Sequence, residues 1–208
     1  KTAVVAKASD AGNDNGTYIP VIFRMYHEHT GDWFWWSSKQ STPDEYKQLW
    51  VMTSDYLRNT KGVHNLLYAY SSSNVQSKEH YLERYPGDEY VDILGFDHYL
   101  KGRSEENVDQ YKIDFERNIQ IVTDCASQSG KLPIVGETGE ESIWDTSYFT
   151  SIVYPIISKY KLGWILFWRN AWEPDKPNHY YLPFPGHPSE ADFKKFIEKP
   201  LMLMNSDI

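Results

Sequence analysis

The chain has 208 residues, of which 40% are hydrophobic and 24% charged, so it is long and apolar enough for one domain with a sizeable core and is not a disordered chain. Its net charge of −8 argues against nucleic acid and anionic membrane surfaces, which need basic patches, and no apolar run is long enough to span a bilayer. Eight tryptophans and sixteen tyrosines exceed what core packing needs, and their flat apolar faces with polar tips suit sugar rings.

In chain order, Lys1–Ala8 reads as the end of a helix and Ser9–Gly16 as a polar loop. Val21–Tyr26, an apolar-rich run after Tyr18-Ile19-Pro20, predicts a strand. Thr42-Pro43-Asp44-Glu45 then opens a helix, with Thr42 as N-cap, Pro43 at the first helical position and Glu45 closing a capping box. Tyr46, Leu49, Trp50, Thr53, Tyr56 and Leu57 continue it at helical spacing. Leu66–Tyr70 and Val91–Phe96 are the next strands, the second after the turn Pro86-Gly87-Asp88. Val108, Tyr111, Phe115, Ile119, Val122 and Ala126 mark a helix stopped by Gly130, and Pro133–Gly136 a strand. Cys125, the only cysteine, lies on that helical pattern as a small core residue and leaves no intrachain disulfide. Phe149, Ile152, Val153, Ile156, Ile157 and Tyr160 mark a helix with a kink or break at Pro155. Trp164–Trp168 is the last strand, and a helix over about Glu190 to Glu198, capped by Ser189, closes the chain.

Strands buried on both faces and alternating with helices imply a parallel α/β sheet. Glu28, Tyr70, Asp97, Glu137 and Trp168 gather at the strand C-terminal ends, which favours a (β/α)8 TIM barrel over a doubly wound sheet. No glycine-rich phosphate loop follows any strand, which weighs against nucleotide binding. A full barrel runs to about 250 residues, so roughly three βα units are wanting, and an open sheet leaves raw edges. A separate N-terminal piece or a longer parent chain is expected to supply them. The start at Lys1, with no secretory leader pattern, likewise reads as a processed product or fragment.

Two glutamates carry the chemistry. Glu28 follows the first strand, in His27-Glu28-His29-Thr30-Gly31-Asp32-Trp33, and Glu137 follows the fourth, in Ile134-Val135-Gly136-Glu137-Thr138-Gly139. Two carboxylates, far apart in sequence but at equivalent strand ends, are what double-displacement sugar hydrolysis requires. His27-Glu28-His29 could also suggest a metal site, but two histidines one residue apart are a weak signal, and no matching carboxylate or third histidine follows at a useful spacing.

Four motifs then resemble one family. Arg24-Met25-Tyr26-His27-Glu28 with Trp33-Phe34-Trp35-Trp36, Gly95-Phe96-Asp97-His98-Tyr99, Gly136-Glu137-Thr138-Gly139 and Phe167-Trp168-Arg169-Asn170-Ala171 stand in the order found in glycoside hydrolase family 26. The resemblance implies a single catalytic domain over residues 1–208 in which the visible strands are the fourth to the eighth, the N-terminal strands being absent. It implies that Glu28 is the general acid/base and Glu137 the nucleophile, about 5–5.5 Å apart in a retaining enzyme. It further implies that His27 contacts the sugar at the cleavage point, that Trp33 packs against a sugar, and that Tyr99 hydrogen-bonds the nucleophile. Asp97 would bind substrate or fix its neighbours, Trp168 would floor the cleavage subsite, Arg169 would reach a neighbouring sugar, and Arg24 would support the nucleophile. Tyr70 and Trp172 are further cleft positions, while Phe34, Trp35 and Trp36 read as core or loop packing. Met25 and Ser37 depart from the family pattern, which often has Pro and Gly there.

The activity so implied is retaining hydrolysis of β-1,4-mannosidic bonds in mannan, with no cofactor and no metal, by a secreted, periplasmic or cell-surface protein. A related β-glycanase acting on β-1,3-xylan or mixed-linkage glucan, or an inactive glycan-binding fragment, are the competing readings.

Overall fold

The computed structural model describes residues 19–204. The helix read at Lys1–Ala8 and the loop at Ser9–Gly16 lie outside the described residues. The elements are β1 (Val21–Phe23), α1 (Pro43–Asp55), β2 (Leu66–Ser72), α2 (Lys78–Leu82), β3 (Ile93–Leu100), α3 (Glu105–Ser129), β4 (Leu132–Glu140), α4 (Tyr154–Ile157), β5 (Ile165–Phe167) and α5 (Glu190–Ile197). The strands form one sheet in the order β1-β2-β3-β4-β5. β1 pairs with β2 in parallel, Val21 against Leu66 and Phe23 against Tyr68, and β4 pairs with β5 in parallel. Sequential parallel neighbours need crossover connections, and the intervening helices provide them. Among the described residues, no helix is long and apolar enough to cross a membrane.

The described residues divide into two compact units, residues 19–95 with 125–132 and residues 96–124 with 133–204. In the first unit, α1 starts as its capping box predicts. The Thr42 hydroxyl accepts from Glu45 N at 3.3 Å, and Glu45 Oε2 accepts from Thr42 N at 2.8 Å, an arrangement worth about 1 kcal/mol. The helix turns its aromatic side inward, burying Tyr46 and Trp50 completely. Trp50 meets Tyr70 of β2 edge-on at 5.8 Å, and Tyr70 meets Tyr81 of α2 at 5.3 Å. Past Asp55 the α-helix gives way to a wider turn over Tyr56–Thr60, so the predicted helical run through Leu57 is shortened. Sequence periodicity misses α2, a single short turn capped by the Ser77 hydroxyl, which accepts from His80 N at 3.2 Å. Cys125 is buried, as its helical pattern suggests.

In the second unit, Tyr111, Phe115, Ile119 and Val122 of α3 are buried. The predicted helix over Phe149–Tyr160 is instead a wide turn over Tyr148–Val153 that leads into the short α4. Pro155 sits in the first turn of α4, where its missing N–H breaks no bond, and so it begins a helical turn rather than kinking one. Ser189 stands at the N-cap position of α5 without capping it. Its hydroxyl donates to Ile143 O at 3.4 Å instead.

Candidate active site

Glu28 lies in a turn beyond β1, not on the strand, because β1 ends at Phe23. Tyr26 and Glu28 take φ of 50° and 55°, a left-handed conformation that costs side-chain-bearing residues about 1–2 kcal/mol each. Three backbone anchors hold this turn. Glu28 N donates to Ser71 O of β2 at 2.9 Å, Trp36 Nε1 donates to His27 O at 2.8 Å, and Tyr46 OH donates to Tyr26 O at 2.9 Å. Strain of this kind survives only where the surroundings over-determine it, and it clusters at functional sites.

The Glu28 side chain accepts from Trp33 Nε1 at 2.7 Å. Gly31 makes that contact possible, since a Cβ there would lie 2.4–2.6 Å from the Trp33 ring. The Trp33 ring is 53% exposed, so one indole can present its face outward while its N–H holds the carboxyl. Buried Ser37 knots the loop, accepting on Oγ from Phe34 N at 3.0 Å. Phe34 stacks on Trp36 at 4.4 Å, and Trp35, though 64% exposed, meets Trp36 edge-on at 5.3 Å and Tyr26 at 6.0 Å, so Phe34, Trp35 and Trp36 pack the loop. His27 is half-buried and packs against Phe34 at 5.1 Å. Arg24 is half-buried directly after β1.

Glu137 lies inside β4 and is buried. Between Val135 and Thr138 the pairing with β5 slips, since three steps on β4 oppose two from Ile165 to Phe167. A bulge of this kind re-aims a side chain and is common beside active sites. Tyr99 OH donates to Glu137 Oε2 at 2.5 Å. Next to it, Thr138 Oγ1 bonds His98 O and the Tyr111 hydroxyl, both at 2.7 Å, which fixes the backbone beyond the carboxylate. Trp168 N donates to Thr138 O at 3.0 Å, so the Trp168 backbone is tied to the residue after Glu137. Asp97 is buried within β3, two residues before Tyr99.

Three further predicted positions have partners or exposure of their own. Tyr70 is completely buried, its hydroxyl donating to Tyr81 O at 2.7 Å, so it belongs to the core and not to a cleft. The Arg169 guanidinium forks onto Glu173 at 2.8 and 2.9 Å, and that bidentate pair draws the Glu173 carboxyl down to about 2. Trp172 is 84% exposed.

Sequence reasoning missed Tyr181. Its ring meets Tyr99 edge-on at 5.6 Å and lies so close over Gly139 that a Cβ there would be 2.5 Å from Tyr181 Cδ1. Burial, then the Glu141 and Glu137 carboxylates, push the Tyr181 phenol up to about 12. Glu140 was missed too. It is fully buried, its Oε1 lacks a hydrogen-bond partner, and burial raises its carboxyl to about 7. The glycine two residues beyond Glu137 was the one sequence signal of close packing here.

Residues 2–153 match the family described as glycosyl hydrolase family 26. The chain is 35% identical over 98% of its length to a mannan endo-1,4-beta-mannosidase of Bifidobacterium adolescentis, of which it covers 22%. Among solved structures it is similar to a GH26 beta-mannanase from Bacteroides ovatus, with a TM-score of 0.86 and 43% identity over 93% of this chain and 54% of that one. A modular endo-beta-1,4-mannanase from Cellulomonas fimi matches with a TM-score of 0.82 and 30% identity, over 94% of this chain and 44% of that one. The chain therefore spans about half the length of these solved relatives and less of the curated one.

Proposed function

Because this chain belongs to glycosyl hydrolase family 26, we propose that it forms part of a retaining endo-β-1,4-mannanase. Its five-stranded sheet is consistent with a portion of that family's (β/α)8 barrel, and we assign the strands as the fourth to the eighth. Glu137 attacks the anomeric carbon while Glu28 protonates the departing glycosidic oxygen. Glu28 then takes a proton from water, which releases the sugar from Glu137 with net retention. His27, Trp33, Asp97, Trp168, Arg169 and Arg24 act as substrate-side groups in this reading. No metal or organic cofactor takes part in the scheme.

The bond from Tyr99 to Glu137 carries the proposal. A carboxylate buried in a strand, with one oxygen held by a phenol and a bulge aiming it, is arranged as an oriented nucleophile rather than a solvated surface acid. The test is turnover of mannan by the protein and by two variants. Glu137→Ala is expected to lose at least about a thousandfold in kcat, about 4 kcal/mol. Glu28→Ala is expected to lose far more on polymer than on aryl mannosides with activated leaving groups. Near-native turnover by Glu137→Ala, or equal losses by Glu28→Ala on both substrates, overturns the assignment.

The partial coverage of its relatives favours a second component. β1 and β5 are the sheet edges, Ile22 and Leu166 on them are 46% and 40% exposed, and an apolar groove of about 660 Å³ runs along β5, lined among others by Phe167, Phe193 and Phe196. Three further βα units of the same barrel would cover these edges, and without them the chain would bind glycan and not cleave it. Comparing mannan turnover by this chain with and without such a segment decides between the two. A polymeric substrate too large to enter a cell implies a secreted, periplasmic or cell-surface site of action.

A further inference from the structure

A cavity of about 430 Å³ opens next to Tyr99. Tyr99 and Tyr181 line it together with Lys101, Arg103, Glu141 and Trp144. Lysine and arginine offer only donors and glutamate only acceptors, while tyrosine and tryptophan add flat faces. A pyranose needs this mixture, because its hydroxyls both donate and accept and its ring has an apolar C–H face.

The loop that carries Glu141 and Trp144 is rigidly built. Ser142 and buried Ile143 hold φ of 68° and 40°, and a β-branched residue in that region is a genuine outlier. Each such residue costs on the order of 1–3 kcal/mol and persists only under constraint. The constraints are visible. Ser142 N donates to Tyr180 O at 2.8 Å, Ser142 Oγ to Asn178 O at 2.6 Å and Ile143 N to Glu140 O at 3.2 Å. Glu141 Oε1 lies 2.6 Å from His179 Nδ1. The strained turn brings Glu141 and half-buried Trp144 to the same cavity, and a loop fixed beforehand loses little entropy when a ligand arrives.

We infer that this cavity is an additional sugar subsite that holds one pyranose of the glycan, with Trp144 as its stacking face and Arg103 and Glu141 as its hydroxyl partners. The inference rests on the glycanase reading above. The pyranose can be a main-chain unit or a branch sugar, since both present the same ring chemistry.

Calorimetric titration tests it in a Glu137→Gln background, which prevents turnover. The probes are linear mannopentaose, a galactosyl-branched manno-oligosaccharide of equal backbone length, and cellopentaose. Trp144→Ala and Arg103→Ala are compared with the parent, and Arg103 is exposed, so its truncation spares the core. Each substitution is expected to weaken binding about 5- to 20-fold. Weakening with both mannan probes assigns a main-chain unit, and weakening with the branched probe alone assigns a branch. If the parent binds mannopentaose and neither substitution changes any affinity, the subsite is wrong while the mannanase reading stands. If the parent binds cellopentaose but no mannan probe, and Trp144→Ala weakens that binding, the subsite stands and the mannan reading falls. Binding of none of the three overturns the subsite.

Discussion

Tyr99 on β3 donates its phenolic proton to Glu137 Oε2 on β4 across 2.5 Å, and the same ring is braced edge-on by Tyr181. The hydroxyl orients the carboxylate and the ring packing orients the hydroxyl, so two tyrosines stand in series behind the proposed nucleophile. Tyr99→Phe keeps the ring and removes the bond. In the proposed mechanism this bond orients the attacking group, so the variant is expected to lower kcat on mannan about 10- to 100-fold, 1.4–2.7 kcal/mol, with KM changed less than threefold. Steady-state kinetics on a soluble mannan check this, and a change confined to KM would show that Tyr99 serves binding.

Gly139 shares in that bracing. It has φ +150° and no room for a Cβ beneath Tyr181, so Gly139→Ala pays both for backbone strain and for displacement of the ring. The expected loss is about 1–3 kcal/mol of stability together with a kcat deficit like that of Tyr99→Phe. Tyr181→Ala vacates the space, so the pair Gly139→Ala/Tyr181→Ala should be less destabilised than the sum of its parts. Denaturant titration of the single and double variants measures that coupling, and strict additivity would mean that the two residues do not interact.

Much of this arrangement was legible in the sequence, for reasons that differ by residue. Thr42, Pro43 and Glu45 announce α1 because a cap is a local device whose three parts are adjacent in the chain. Tyr99 was matched to Glu137 through family resemblance, and the two are in contact. Tyr70 was misplaced because a run such as Leu66–Tyr70 reports apolarity and not which face each residue turns. The strand lengths misled in both directions. β1 ends at Phe23, where the left-handed turn at Tyr26 and Glu28 takes over, and β3 runs on to Leu100 through polar Asp97 and His98. Tyr181 was invisible because it lies outside any periodic segment and earns its place only through Gly139, far away in sequence.

Glu140 ties stability to pH. Burial raises its carboxyl from 4.5 to about 7, against the opposing pull of the Asp145 N–H, which donates to Oε2 at 3.1 Å. The folded chain then holds a proton that the unfolded chain has already released between about pH 4.5 and 7, so this group's contribution is full below 4.5 and is lost as pH rises through 7. Glu140→Gln imitates the protonated form and can still accept from Asp145. It is expected to match the parent at pH 5 and to melt a few degrees higher at pH 8. Thermal melts at the two pH values check this, and a parent that is more stable than the variant at pH 8 contradicts it.

His29 acts in the opposite sense, in the first unit. It is fully buried between Tyr46 at 4.7 Å and Tyr70 at 4.6 Å, and neither ring nitrogen has a hydrogen-bond partner. Burial, with help from the Arg84 charge, holds its pKa well below 6.5, so the folded imidazole stays neutral. As pH falls below 6.5 the unfolded chain takes up a proton that the folded chain refuses, and stability drops by up to about 1.4 kcal/mol per pH unit. Phenylalanine fits the same flat slot with no nitrogen to desolvate, and replacing a buried unsatisfied polar group by an apolar one is neutral or stabilising. His29→Phe is therefore expected to equal or exceed the parent at pH 7.5 and to lose less stability between pH 6.5 and 5. Denaturant midpoints across that range measure the two slopes. Parallel slopes would mean that the folded protein admits a charged His29 between its two tyrosines.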